Sequence, residues 1–170
     1  MSQHSTSSQK KSLRNDEYLK IQKQHSRSAE ASLTNSVLDF LISEHNISMA
    51  YSKTKTALKT VKMIIPTTLY DNGKTLGKEE LIALSHSICQ PEQMLPDATQ
   101  KQLKRNEEAQ IANGMLALLV SKGYSFEEKK TRPCHKTTRL IRISKLIDNT
   151  TKKVYSSKEL IRALPGNLQT

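Results

Sequence analysis

Two cysteines and two histidines stand where a tetrahedral zinc site would look for ligands: His86-x-x-Cys89 and the adjacent pair Cys134-His135. Zinc takes four such side chains, and helical spacing puts His86 and Cys89 on one face. Cys134 and His135 are neighbours, however, and neighbours in an extended loop point apart. No CxxC occurs. The expectation is no metal, with Cys89 a small core residue and Cys134 a thiol in a cationic loop. Lys130, Arg132, His135 and Lys136 would favour its thiolate, but no base with an orienting carboxylate adjoins it. Glu79-Glu80, Glu107-Glu108 and Glu127-Glu128 are adjacent pairs. Their side chains diverge in helix or strand, whereas acid–base catalysis needs groups converging on one reacting atom. GxxxxGK[ST], GxGxxG, HExxH and GxSxG are all absent. The chain is expected not to be an enzyme and to need no cofactor.

What stands out is cationic. Lys129, Lys130, Arg132, Lys136, Arg139, Arg142 and Lys145 fall in one stretch, 129–145, without an acidic residue. Each could neutralise a phosphate and release its counterions. Such contacts hold a backbone without reading sequence, so DNA and RNA both fit. The stretch must be presented by the elements around it. Ile111, Met115, Leu118, Leu119 and Val120 recur at helical spacing, and Gly123 after Lys122 reads as a helix stop. Tyr124–Glu127 alternates like a half-buried strand. Arg139–Ile147 alternates again, with Ile141, Ile143 and Ile147 on one face, and a polar turn broken by Pro133 separates the two. Helix, glycine stop and cationic hairpin together resemble the end of a winged helix-turn-helix over roughly residues 76–147. That resemblance implies a hairpin lying against a nucleic-acid backbone, and it requires a break near Asn106 in the helix that Asp97 would cap.

Upstream, residues 1–27 read as a flexible basic arm. Residues 1–12 are Ser-rich with almost no aliphatic side chain, and 13–27 offer a frayed helix. From Ser28, an N-cap candidate, residues 29–45 repeat Leu33, Val37 and Leu41, widened by Leu38 and Ile42. A second helix is expected over Ser48–Ile65, with Ala57, Leu58, Val61, Ile64 and Ile65 inward and Lys53, Lys55, Lys59 and Lys62 as a solvated face. Pro66 would stop it. Asp71-Asn72-Gly73 signals a tight turn between Thr68–Tyr70 and Lys74–Leu76. A helix over 78–90 turns Leu81, Leu84 and Ile88 inward. After Asp148-Asn149-Thr150-Thr151, Lys152–Tyr155 can return as a third strand. Ser156 and Glu159 have capping-box spacing for a closing helix over 157–164. No internal repeat shows at solenoid periods.

The 170 residues carry a net charge of +11, 35% hydrophobic and 4% aromatic residues, and no Trp. Such a balance favours a polyanionic partner. No apolar run approaches the ~18 residues a membrane span needs, and the stretch MSQHSTSSQKKSLRNDEY lacks the apolar h-region of a secretory signal. An intracellular protein, in cytoplasm or nucleus and off the membrane, is expected. The fold class is α+β and mainly helical: a single domain over 28–170 with a C-terminal antiparallel hairpin or three-stranded meander. The expected function is non-enzymatic nucleic-acid binding, in a small transcription or replication regulator. The alternative is an assembly protein that uses the helical hairpin 29–65, or the basic hairpin, to hold an acidic partner or itself.

Overall fold

Two residues in the left-handed conformation set the chain path. The computed structural model describes residues 3–51, 63–89, 97–129 and 139–164 and, within the first helix, the side chains of 17–20 and of 28 onward. Helix α1 (Gln3–His45) stops at Asn46, φ 56°, where Ile47 N–H donates back to the Leu41 carbonyl (3.3 Å). Helix α3 (Gln100–Ser121) stops at Gly123, φ 98°. Each stop turns the chain into a three-stranded antiparallel sheet. After α1 come β1 (Ser48–Tyr51), β2 (Pro66–Asp71), β3 (Lys74–Gly77) and α2 (Lys78–Ser85). After α3 come β4 (Tyr124–Glu128), β5 (Ile143–Asp148), β6 (Val154–Ser156) and α4 (Ser157–Arg162). The class is α+β. No described helix is long and apolar enough to cross a membrane.

Several expectations are corrected. Residues 3–27, expected as an arm, continue α1, so Ser28 is a buried internal position and not a cap. The helix expected over Ser48–Ile65 does not form at its described ends. Residues 48–51 are a strand, 63–65 are irregular, and 52–62 lie outside the described residues. Asn46 reverses the chain, and Pro66 pushes Ile65 towards extended backbone, opening β2 at a strand's first position, where proline is tolerated. α3 runs unbroken through Asn106, which argues against a winged-helix arrangement. Its cap is Thr99, not Asp97: Thr99 Oγ1 accepts from Gln102 N–H (3.2 Å), and Gln102 Oε1 from Thr99 N–H (3.0 Å). The Asn72-Gly73 turn forms as expected, with φ 48° and 82° and Asp71 opposite Lys74. Ser156 caps α4 by accepting from Glu159 N–H (3.2 Å).

The two halves repeat one another, at a longer period than any solenoid. Ala31, Leu33, Asn35, Val37, Leu38 and Leu41 of α1 correspond to Ala109, Ile111, Asn113, Met115, Leu116 and Leu119 of α3. Strand registers match: Met49 faces Leu69 and Leu69 faces Leu76, while Phe126 faces Leu146 and Leu146 faces Tyr155. Both sheets carry a bulge at the same place, between Ala50 and Tyr51 and between Glu127 and Glu128. The hydroxyls of Thr67 and Ser144 bridge the two bulges, donating to Ala50 O (3.0 Å) and Glu127 O (3.2 Å). The closing helices are exchanged, α2 packing on α3 and α4 on α1. One core joins both halves, with Leu41, Leu69, Leu81, Met115, Leu119 and Leu146 at 0% exposure.

Candidate nucleic-acid interface

Asn113 positions the entry to β5. It lies in a helix stretch buried on every side, from Ile111 to Leu119, where an unpartnered amide would be costly. Its Nδ2 donates to the Arg139 carbonyl (2.9 Å), and its Oδ1 accepts from Ile141 N–H (2.9 Å). The Cys89 thiol also points at the Arg139 carbonyl (3.8 Å). The chain at 139–141 is thereby tied to α3. The matching residue of the first repeat does the same, Asn35 Oδ1 accepting from Ile64 N–H (2.8 Å). Neither asparagine was singled out in the sequence. The available signal was a polar residue inside an apolar helical run.

Of the seven cations, Lys130, Arg132 and Lys136 lie outside the described residues. Lys129 is exposed, and its N–H donates to the Arg142 carbonyl (2.8 Å). The other three are beside acids that are distant or unremarkable in sequence. Arg139 pairs with Glu128, Lys145 with Glu127 across the sheet (3.9 Å), and Arg142 with Glu30 of α1 (3.9 Å). The Lys145–Glu127 pair is half exposed, and such pairs are worth about 0–1 kcal/mol. Arg142 is more enclosed. Its Nε is buried with no hydrogen-bond partner among the described residues, and its guanidinium links the entry of β5 to α1 through Glu30. Lys129, Arg139 and Lys145 reach solvent; Arg142 mostly does not.

Ile141 and Ile143 are buried as expected, but the third inward residue is Leu146 and not Ile147. The bulge at Ser144 adds one residue and reverses the alternation.

The repeats are also joined by matched polar contacts. Lys122, at the end of α3, pairs with Asp71 of the first sheet (2.8 Å). His45, at the end of α1, faces the second sheet, where its Nε2 and Tyr124 Oη lie 3.0 Å apart and its ring packs edge-on to Tyr124. Asp148 lies within electrostatic reach of His45. Burial works against ionising Asp148, but the N–H groups of Thr150 and Thr151, the Thr151 hydroxyl and His45 outweigh it and hold its carboxyl below the ordinary value. Burial, with Asp148, Tyr155 and Glu44 nearby, pushes the Tyr124 phenol up.

For a metal, Cys134 and His135 lie outside the described residues, His86 is exposed, and Cys89 is half buried. Among the described residues no cluster of three potential ligands forms. The acidic pairs are used structurally: Glu107 meets Lys78 (3.1 Å), and Glu79 and Glu80 occupy the first turn of α2, where acids suit the helix dipole. No protein-family model matches the chain, and no curated protein or solved structure does so.

Proposed function

We propose that the protein binds nucleic acid without catalysing a reaction, as a small regulator of transcription or replication. The single observation that carries this reading is the stretch 129–145, seven cations with no acid between them, held to a buried helix at 139–141 by Asn113. A tethered basic segment loses less freedom on binding than a loose one. Glu30, Glu127 and Glu128 offset Arg142, Lys145 and Arg139 in the unbound protein. Lys129, Lys130, Arg132 and Lys136 are then the principal phosphate contacts, with Arg139 and Lys145 able to exchange a half-exposed carboxylate for a phosphate.

The test is fluorescence anisotropy with labelled duplex DNA and single-stranded RNA across a salt series. Log affinity should fall against log salt with a slope of about 0.9 per phosphate on duplex and about 0.7 on single strands. Four contacts or more are expected. No binding at low salt would remove the reading. The alternative through a helical hairpin 29–65 loses its basis, because Ser48–Tyr51 is a strand and Val37 and Leu41 are core residues. An acidic protein partner for the basic segment is then the remaining reading.

A further inference from the structure

The described cations of the basic stretch are largely countered. Arg139, Arg142 and Lys145 each stand beside a glutamate, which leaves Lys129 as the unpaired member among the described residues. The start of α3 is balanced differently. Its first two turns carry Lys101, Lys104 and Arg105, all exposed. At i, i+3 and i+4 they share one face of the helix, and about 6 Å of axis separates the first from the last at 1.5 Å per residue. None of the three forms an ion pair among the described residues. Glu107, in the following turn, is taken by Lys78 of α2 (3.1 Å).

The arrangement works against the helix that displays it. Like charges three and four residues apart repel, and the first turn of α3 holds no acid to offset its positive end. The segment is nevertheless anchored at both ends. Thr99 and Gln102 close a capping box at its start, and from Ile111 onward the same helix is buried on every side. Three unpaired cations are thus presented from one firmly seated helix. Resting on the nucleic-acid reading, we propose that this face of α3 is a second contact for the phosphate backbone, made by Lys101, Lys104 and Arg105 separately from the 129–145 stretch. A phosphate backbone fits because its charges recur at short, regular intervals, and each one neutralised releases counterions. The contact carries no base preference; it adds affinity and orients the body on the strand.

The experiment uses the full chain with a labelled DNA duplex and a single-stranded RNA across a salt series. One variant carries Lys101→Gln, Lys104→Gln and Arg105→Gln. A control loses the same charge at other exposed positions, through Lys20→Gln, Lys74→Gln and Lys158→Gln. A third variant, Lys101→Arg, Lys104→Arg and Arg105→Lys, keeps the charge. The α3 Gln variant should lower the salt slope by about 2 to 3, at roughly 0.9 per phosphate on duplex and 0.7 on single strands. The control should change it by less than about one phosphate's share, and the charge-keeping variant should bind as the parent does. In thermal melts the α3 Gln variant should equal or exceed the parent, because the charges it removes repel one another; a lower melting temperature would assign these side chains to the fold and overturn the inference. If that variant binds as the parent does, or loses no more than the control, the inference falls and the nucleic-acid reading stands. A parent chain that binds neither probe overturns both.

Discussion

Asn113 illustrates how one polar side chain in a buried helix can fix the entry to a strand. Both ends of its amide are occupied by backbone groups of Arg139 and Ile141, and Asn113 itself is 1% exposed. Substitution by Leu would leave the Ile141 N–H without its partner and the Arg139 carbonyl with only the weak Cys89 thiol contact, at about 1–3 kcal/mol for a buried group left unpaired. Asn113→Leu should therefore lower the urea midpoint with the slope unchanged; a midpoint equal to the parent's would show that 139–141 is held by other contacts. The next residue tests packing rather than polarity. A Cβ at Gly114 would run into the Leu81 carbonyl of α2, while the corresponding Ser36 already carries one and donates its hydroxyl to the Leu33 carbonyl (2.6 Å). Gly114→Ala should cost about 1–3 kcal/mol by overpacking, visible as a lower melting temperature. The gain of a normally stabilising helix alanine would have to be absent.

At the scale of elements, the turn after β5 is held by a carboxylate. Asp148 Oδ1 accepts from Thr150 N–H (2.9 Å) and more weakly from Thr151 N–H (3.4 Å). A carboxyl whose folded pKa is depressed adds stability above its unfolded value. That stability is lost as pH falls through the folded one. With an ordinary value of 3.8, the loss begins near pH 4 and continues below it. Asp148→Asn keeps an acceptor for the turn but removes the charge, so its stability should fall less steeply than the parent's on acidification in that range. Parallel acid limbs in thermal melts would contradict this account. Local chemistry of this kind was readable in the sequence: Asn72-Gly73, Gly123 and the Ser156 cap all behave as their types demand. What failed was decided by distant partners. The helix expected over Ser48–Ile65 fails at its described ends, where β1 pairs with β2 and Ile64 is held by Asn35; Ala57, Leu58 and Val61 lie outside the described residues. The Ile141–Ile143–Ile147 face failed because spacing does not reveal a bulge. Arg139, Arg142 and Lys145 stood apart from acids in sequence, yet folding brings Glu128, Glu30 and Glu127 to them.

For the whole molecule, the duplication was hidden because the helices match in pattern more than identity and the turns differ in length, Asn72-Gly73 against 149–153. Once visible, it bears on cooperativity. Each repeat's closing helix lies on the other repeat's long helix, and Phe40 of α1 packs edge-on to Tyr124 and Tyr155 of the second sheet. Neither half completes its core alone. Leu81 and Leu160, equivalent positions in α2 and α4, are 0% and 6% exposed. Truncating either to Ala should cost about 2–5 kcal/mol and should destabilise both sheets together. The check is calorimetry with amide exchange at Leu69 and Leu146, the buried centres of the two sheets. One transition, with calorimetric and van't Hoff enthalpies equal, is expected in the parent and in both variants, with Leu69 and Leu146 losing protection in parallel. If Leu81→Ala frees one sheet and leaves the other protected, the halves are separate folding units and the exchanged helices are only appended to them.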